Sequence, residues 1–411
     1  QEAEAQRISE EVTAQLQQET TSTTPISQDS LQARLKAVYG TFAQAAQGTE
    51  QLITLENDVL RLTLTTHGGT IQRAELLDYR ANGDTINPLS LFRGDESSMA
   101  FTLITANNRI LQTSNFYFTP VESGDKRKAI MRLQTEQENE YIDFIYTLSD
   151  NYMVEFDIQA NNMQTVLAQN INSMEMAWQQ LIPQQEKGRT FEERYSQLQY
   201  MLVGGDIEKL SESKDDSDKE AARVRWIGYK DQFFSTVLIA DDAFTSSEFE
   251  SILQAKHSGY IKQYTTHTSV PFDITGKEPT GMRFYFGPNH YQTLKSYDQN
   301  YEKIIPLGGS LVGWFTKYAI IPMFNFFSRF IDSFGLIILL MTLVIKLVVF
   351  PFTYKSFASS AKMNALKPEI DKINAKYPNM ENQQEMMKRQ QATMNLYKRA
   401  GVSPMGACLP M

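Results

Sequence analysis

The sequence is short of the residues that build disulfide frameworks, metal centres and catalytic clusters. Its 411 residues include one cysteine, Cys408, which excludes an internal disulfide framework. The histidines lack the spacing of metal ligands, and no carboxylate pair or histidine–carboxylate group occurs at a spacing diagnostic of catalysis. These four histidines are His67, His257, His267 and His290. The sequence therefore predicts no metal, no cofactor, no catalytic residue and no small-molecule substrate.

Charge is almost absent from Phe334 to Phe352, FGLIILLMTLVIKLVVFPF, where only Thr342 and Lys346 carry polar side chains. A hydrocarbon core about 30 Å thick is crossed by roughly 20 apolar residues in a helix. We therefore predict a transmembrane helix over residues 333–353.

The charged residue inside this run, Lys346, is costly, by roughly 2.5 to 3.5 kcal/mol at the centre of a span. On a helix of 100° per residue, Gly335, Thr342, Lys346 and Thr353 fall within a sector of about 60°, and Leu, Ile and Val occupy the rest. This sector favours a hydrated groove. The alternative is that Lys346, six residues before Phe352, extends its stem to the membrane interface.

Basic charge is scarce in the long first part of the chain. Residues 1–300 carry 26 basic and 42 acidic side chains, whereas residues 301–411 carry 13 and 6. The excess of acidic side chains in residues 1–300 gives little support to a nucleic-acid-binding function. A basic segment after a span indicates a cytoplasmic tail, which places the large first part on the other side of the membrane.

The two ends of the sequence resemble cut ends. The chain begins on Gln1 with neither a signal peptide nor a first span, although an exported domain needs one of them. It stops at CLPM, so residues 401–411 are interpreted as the start of a further transmembrane segment. We expect a piece of a longer multi-span protein.

The first part of the chain divides into a tether and a β domain. Residues 1–48 are rich in Gln, Glu, Ala, Ser and Thr, so we predict a flexible tether with some helix near 31–46. From 49 to 296 the pattern alternates, as in Val59–Thr66, which ends at turn residues. Similar alternation occurs over 142–148, 154–158, 233–239 and 282–286. Many short strands predict an all-β antiparallel sandwich, with the acidic run 211–220 as a solvated loop.

Residues 297–332 are predicted to form an interfacial amphipathic helix region. Trp314 and Tyr318, with Lys317 and Arg329 as a basic fringe, are its candidate anchors in the headgroup layer. Pro322 and the interspersed charges argue against a second span. The alternative is a helix packed on the sandwich.

Residues 354–400 are predicted to form a helical hairpin. Apolar residues recur at helical spacing on both sides of a break at 378–379. They are Leu366, Ile370, Ile373 and Tyr377, and then Met380, Met387, Met394 and Tyr397. Pro368 should kink the first helix or delay its start. The candidate contact residues are Lys362, Lys367, Lys372, Lys376, Lys388 and Arg389. They suit anionic lipid headgroups or ribosomal RNA, and a merely solvated hairpin is equally compatible.

The order of these parts resembles the YidC-type membrane protein insertases of Gram-negative bacteria. The resemblance rests on LIILLMTLVIKLVVFPFT in the span, SSAKMNALKPEIDKIN in the hairpin and NLYKRAGVSPMGACLP at the end. ENDVLRLTLTTHGGTI and VRWIGYKDQFFSTVLI match within the sandwich. Together these segments and their order cover almost all of the chain after residue 50.

The resemblance implies a mutarotase-like β-supersandwich without mutarotase activity, on the periplasmic side of a multi-pass inner-membrane protein. It implies a water-filled groove among five core spans, with Gly335, Thr342, Lys346 and Thr353 at the substrate groove. It also implies a non-enzymatic insertase for nascent membrane proteins, with the Sec translocon, the ribosome and the phospholipid bilayer as partners. Lys346 stands where the family usually has arginine, so the charge is kept and the bidentate fork is lost.

Two other classes remain open on the residues alone. A membrane-anchored external binding module for carbohydrate-like ligands would need no polar face on the span and no ordered hairpin after it. An exported sugar-modifying enzyme would need an acidic pair in a cleft of the sandwich.

Overall fold

The structure, a computed structural model, describes residues 28–378 and 383–401. The chain separates into two compact units, unit 1 up to Ile305 and unit 2 from Pro306 onward. The first unit is almost wholly β and the second is helical.

Unit 1 is built from antiparallel strands. The strands are β1 (Leu52–Glu56), β2 (Leu60–Thr65), β3 (Thr70–Leu76), β4 (Leu89–Arg93), β5 (Ser97–Ile104), β6 (Ile110–Gln112), β7 (Thr119–Val121), β8 (Lys128–Gln134), β9 (Tyr141–Leu148), β10 (Met153–Asn161), β11 (Ser173–Pro183), β12 (Gln197–Leu202), β13 (Ile207–Lys209), β14 (Asp216–Glu220), β15 (Val224–Lys230), β16 (Phe234–Leu253), β17 (Tyr260–Pro271) and β18 (Thr280–Pro288). β1 to β4 form one sheet in sequence order, and the other fourteen strands form a second. The predicted all-β antiparallel sandwich is confirmed.

Alternating side chains explain why these segments are strands. In β9 and β10, the predicted inward residues Phe144, Tyr146, Val154, Phe156 and Ile158 are all buried. The two strands pair in register, with Tyr146 opposite Phe156 and their rings stacked at 4.5 Å between centroids. Each strand therefore contributes one apolar face to the core and one polar face to solvent.

The second sheet folds over itself through β16. Its first half, up to Ala240, pairs with β15 and β18, and its second half, from Thr245, pairs with β14 and β17. The register shifts between these halves, so one strand belongs to both layers of the sandwich.

The layers meet around large aromatic side chains. Trp178 of β11 stacks on Tyr229 of β15 at 3.8 Å between ring centroids, and Tyr200 of β12 stacks on Phe249 of β16 at 4.2 Å. All four rings are buried. Rings that bridge the two layers bury large apolar areas, and these rings therefore form the centre of the core.

The helix predicted near 31–46 is present, but the prediction that this part of the chain is a flexible tether is wrong. Helix α1 (Gln28–Tyr39) and the 3₁₀ turn Gly40–Phe42 pack on the sandwich within unit 1, where Phe42 is fully buried beside Phe116. The composition of 1–48 hides this because a few apolar residues at helical spacing suffice for one contact face. The remainder, 1–27, lies outside the described residues.

The end of unit 1 also differs from the predicted boundary at 296. Helix α2 (Arg189–Tyr195) lies between β11 and β12, and helix α3 (Tyr291–Ser296) follows β18. The turn Tyr301–Ile304 then buries Tyr301 and Ile304 against Trp226 and Ile239. Residues 297–305 thus complete the sandwich rather than the interfacial region, because their apolar side chains cover the outer face of its sheet.

The acidic run 211–220 is half strand, which corrects the predicted loop. Asp216 to Glu220 form β14, which pairs with the second half of β16. The run lacks the apolar alternation of a strand because neither of its faces enters the core.

Unit 2 contains five helices in its described part. They are α4 (Ser310–Phe315), α5 (Ile321–Phe327), α6 (Phe334–Ala365), α7 (Lys367–Lys376) and α8 (Gln383–Arg399). Residues Thr316–Ile320 form a π-helical turn that joins α4 to α5 directly before Pro322. Proline lacks an N–H donor and crowds the preceding turn, so a widened turn lets the helix continue past it.

The span and the hairpin are joined by continuous helix. α6 runs beyond the predicted limit at 353 and ends at Ala365. α7 then begins at Lys367 with Pro368 in its first turn, which confirms the predicted effect of this proline on helix start. Among the described residues of the hairpin, the predicted apolar positions Leu366, Ile370, Ile373, Tyr377 and Tyr397 are half-buried. Met387 and Met394 are exposed, which contradicts the predicted apolar stripe on α8. Met380 and residues 402–411 lie outside the described part.

Candidate functional site

The candidate groove residues lie on one long face of α6. Lys346, Thr342 and Gly335 are exposed and Thr353 is half-buried. Among the described helices, α6 holds the one segment long and apolar enough to cross a membrane, Phe334–Pro351. A small, polar stripe with a cation therefore runs along an otherwise aliphatic helix.

The opposite face of α6 is the packed one. Ile337 and Met341 are 1% and 8% exposed, and α6 contacts α5, where the Phe324 and Phe334 rings stack at 6.2 Å. At 100° per residue, Lys346 lies about 180° from Ile337 and about 140° from Met341. Within the described part of unit 2, Ile337 and Met341 are thus the buried side chains of Phe334–Pro351, on the side away from Lys346, whereas the polar stripe and much of the remaining aliphatic surface are exposed.

The two threonines of the stripe satisfy their hydroxyl donors within α6. Thr342 Oγ1 donates to the carbonyl of Ile338 at 2.8 Å, and Thr353 Oγ1 donates to that of Phe350 at 2.9 Å. Such back-bonding makes a hydroxyl tolerable in an apolar helix. The oxygen lone pairs remain outward, so the stripe offers acceptors beside the three N–H donors of Lys346.

The candidate anchors surround the π-helical turn. Trp314 and Tyr318 are exposed and their rings lie 5.8 Å apart, and Lys317 Nζ lies 5.7 Å from the centre of the Tyr318 ring. Arg329 is exposed in the turn after α5. The structure brings Trp314, Lys317 and Tyr318 together. Arg329 is not part of this group, because it follows the end of α5.

The candidate hairpin contacts are spread over three helices. Lys362 lies near the end of α6, three lysines lie on α7, and Lys388 and Arg389 lie on α8. The lysines are exposed and Arg389 is half-buried. No described side chain of α7 or α8 is fully buried. The hairpin thus presents basic side chains on helices in which no described side chain is fully buried.

A second polar cluster, in unit 1, was not predicted. Glu192 of α2 and Asp231, which follows β15, are buried neighbours. Glu192 Oε1 accepts the backbone N–H of Gln185 at 2.6 Å, and Asp231 Oδ1 accepts the hydroxyl of Ser196 at 2.6 Å. Burial and then the charge of Asp231 raise the pKa of Glu192 to about 8.

This pair does not have the form of a glycosidase or mutarotase site. Its oxygens are occupied by backbone and hydroxyl donors, and Glu192 is fully enclosed, so a substrate cannot reach it. The neighbouring Lys230 donates to the carbonyl of Tyr195, and burial lowers its pKa to about 8. Glu192 and Asp231 lie 39 positions apart, so no spacing rule could have joined them. Among the described residues, no group of three or more His, Cys, Asp and Glu could hold a metal ion.

Two family models match the chain in succession. The model described as YidC periplasmic domain matches residues 52–323, and the one described as 60Kd inner membrane protein matches residues 326–411. The boundary between them falls inside unit 2, at the end of α5.

A curated relative from Parabacteroides distasonis, named membrane protein insertase YidC, is 47% identical over 393 residues. The match covers 93% of this chain and 61% of the relative, so the chain spans about three fifths of the relative's length. The crystal structure of the periplasmic domain of Thermotoga maritima YidC aligns with a TM-score of 0.31 at 10% identity, covering 62% of this chain and 92% of that one. A galactose mutarotase-like protein from Lactobacillus casei aligns with a TM-score of 0.36 at 10% identity, covering 58% and 100%.

Proposed function

The chain belongs to the YidC family, and from this membership we propose that it is the sandwich, first core span and hairpin of a membrane protein insertase. Its substrates are nascent membrane proteins, and its location is the bacterial inner membrane as part of a multi-pass protein. Unit 1 then lies in the periplasm, and α7 and α8 lie in the cytoplasm.

The observation that carries the proposal is the uncovered polar stripe of α6. A lone anchor helix needs no stripe, and a lysine at mid-span costs roughly 2.5 to 3.5 kcal/mol unless it meets water or protein. α5 contacts α6, and the buried side chains Ile337 and Met341 lie away from Lys346, so the stripe is free to line a groove with the further core spans that the family resemblance implies.

The mechanism is electrostatic and hydrophobic, without a covalent step. Lys346 and the threonine hydroxyls lower the cost of bringing a short hydrophilic tail into the membrane. The apolar segment of the substrate then leaves for lipid, and its transfer from water drives insertion. A unit charge pair at about 4 Å and an effective dielectric of about 20 is worth roughly 4 kcal/mol before desolvation.

We infer the partners from the same family membership and from the exposed side chains of unit 2. The exposed Trp314 and Tyr318 suit the headgroup layer of the phospholipid bilayer, with Lys317 and Arg329 near phosphate. The lysines of the hairpin suit anionic lipid, the ribosome or ribosomal RNA. The Sec translocon is a further partner that the family assignment suggests.

The test compares one substrate with its translocated Asp and Glu residues present or neutralised. The full-length protein carries Lys346→Arg, Lys346→Ala or Lys346→Glu, and insertion is measured by protease protection of the tail in proteoliposomes. A net loss of one or two kcal/mol gives about a tenfold drop for the acidic tail in the Ala and Glu variants. The Arg variant should insert like the unmodified protein.

Lys398→Glu, at an exposed lysine near the end of α8, is the matched charge control and should not distinguish the two tails. If Lys346→Glu inserts the acidic tail as well as the unmodified protein does, Lys346 is a lysine that reaches the interface, and the groove mechanism is wrong.

A further inference from the structure

The second half of the acidic run 211–220 forms β14, a strand at the open edge of a sheet. β14 pairs with β16 on one side, and among the described strands it has no second partner. Such an edge presents free N–H and C=O groups, on which another extended chain can add as a further strand. Ser217, Asp218 and Lys219 at the middle of β14 are all exposed.

The direction of each N–H in β14 follows from the pairing. The N–H of Leu253, at the end of β16, donates to Asp215 Oδ1 at 2.8 Å, so it points toward β14. N–H groups of alternate residues point the same way, so those of Ser251 and Phe249 also face β14. Their register partners are Asp216 and Asp218. The N–H groups of the intervening residues therefore point to the open edge.

These two outward donors, on Ser217 and Lys219, are already occupied. Asp216 Oδ1 accepts the N–H of Ser217 at 3.1 Å, and Asp218 Oδ1 accepts that of Lys219 at 2.8 Å. Each aspartate is in turn fixed by a second donor. Asp216 Oδ2 accepts the N–H of Ser211 at 2.8 Å, and Asp218 Oδ2 accepts the hydroxyl of Tyr200.

We propose that Asp216 and Asp218 close the edge of β14 to strand addition by any other extended polypeptide, including a second copy of this chain. An incoming strand needs the N–H groups of Ser217 and Lys219 as donors to its own carbonyls. It would meet carboxylate oxygens there instead, and its carbonyl oxygens would be repelled. The acidic residues thus act through the hydrogen bonds they accept, and not through the net charge of the run.

The experiment measures edge-to-edge pairing directly in the full chain, purified in detergent. Ser217→Cys in a Cys408→Ser background provides one thiol at the edge, and a short bismaleimide reports two edges in contact. Asp216→Ala with Asp218→Ala frees both donors and should raise the cross-linked dimer about tenfold, the factor that corresponds to about 1.4 kcal/mol. Glu122→Ala with Glu138→Ala removes two exposed charges elsewhere in unit 1 and should change nothing.

Two further variants separate the hydrogen bonds from charge. Asp218→Asn, compared with Asp218→Ala, keeps an acceptor oxygen for the N–H of Lys219 without the charge, because the hydroxyl of Tyr200 can accept from the amide nitrogen, so the cross-linked fraction of the asparagine variant should stay at the level of the unmodified edge. Adding Lys219→Pro to the alanine pair deletes one freed donor at an edge position where proline is tolerated, and should lower the dimer again. Should the alanine pair not fold, Asp218→Ala alone carries the same comparison.

The proposal is overturned if Asp218→Asn dimerises as strongly as Asp218→Ala, because charge would then be the cause. It is equally overturned if the folded alanine variant gives no more cross-link than the unmodified edge.

Discussion

The carboxyl groups of Glu192 and Asp231 are neighbours in the interior of the sandwich, where Glu192 is 0% and Asp231 6% exposed. Two neighbouring acidic groups that are both buried cannot both be ionised without a large cost, so the pair retains a proton at neutral pH. The pair ties α2 to the end of β15, and it makes the sandwich sensitive to pH.

The first prediction concerns this pH dependence. The folded chain holds on Glu192 a proton with a pKa of about 8, whereas the ordinary value is 4.5. The folded state thus binds more protons than the unfolded state between these values, and the free energy of unfolding must fall as pH rises through that range. The slope for one proton is at most about 1.4 kcal/mol per pH unit. Denaturant unfolding followed by tryptophan fluorescence from about pH 5 to 8 measures it.

Glu192→Gln should remove most of this slope. Glutamine offers one acceptor oxygen where two backbone N–H groups, of Gln185 and Glu186, need one each, so it should cost about 1 kcal/mol at pH 5. The deficit should shrink toward pH 8. Glu193→Gln is the neighbouring control and should keep the slope. The range stops at about pH 8 because burial lowers the pKa of Lys230 and Lys262 to about 8, which adds a slope of opposite sign above it.

The second prediction concerns the hydroxyl that joins the layers. Tyr229 Oη donates to the carbonyl of Trp178 at 2.9 Å or pairs with Thr266 Oγ1 at 2.8 Å, in a buried position. Tyr229→Phe keeps the stacked ring and leaves these partners without the hydroxyl, so it should cost about 1 to 3 kcal/mol in the free energy of unfolding. Tyr195→Phe, at a half-exposed ring, should cost less than about 0.5 kcal/mol. Equal stabilities of the two variants would contradict the bridging role.

The third prediction tests the corrected end of the sandwich. Ile304 is 1% exposed and packs against Trp226 and Ile239, beyond the boundary at 296 that the sequence indicates. Ile304→Ala should lower the free energy of unfolding of unit 1 by about 2 to 5 kcal/mol. Leu311→Ala, at an 86% exposed side chain of unit 2, serves as the comparison and should leave that transition in place. If Ile304→Ala leaves the free energy of unfolding of unit 1 unchanged, the boundary at 296 that the sequence indicates is the right one.

The fourth prediction concerns the hairpin. α7 and α8 bury no described side chain completely, whereas β11 and β17 have neighbours on both sides and a buried face. Backbone amides open more readily where few apolar contacts hold them. Hydrogen exchange followed by mass spectrometry should therefore be faster in peptides from 383–399 than in peptides from β11 and β17. Comparable protection in both would show that the hairpin has a packed partner.

Local patterns in the sequence were sufficient for much of the fold and insufficient for its long-range pairs. The strands around Phe144 and Phe156 were predictable because alternation is a property of neighbouring residues. β16 was recognised over its first half alone, because Asp241 and Asp242 interrupt the apolar pattern where the strand passes between layers. β14 was missed because its side chains are polar and do not alternate with apolar ones, so nothing in the local pattern marks a strand.

The candidate site likewise has one feature that local sequence patterns predict and others that depend on long-range contacts. The polar stripe of α6 follows from helical periodicity, since every residue in it belongs to one helix. Which part of the span is in contact could not be predicted, because the contact of α5 with α6 at Phe324 and Phe334 depends on a helix that continues past Pro322. The Glu192–Asp231 pair depends on chain topology in the same way.

β16 has a mechanical consequence. Because a single covalent strand is shared by both layers, shear between them is resisted by backbone bonds as well as by side-chain packing. A force applied to either layer must first strip hydrogen-bonded pairs from β16, whose two halves hold four different neighbours. We therefore expect the layers of unit 1 to yield together under load, as one element in a force–extension trace.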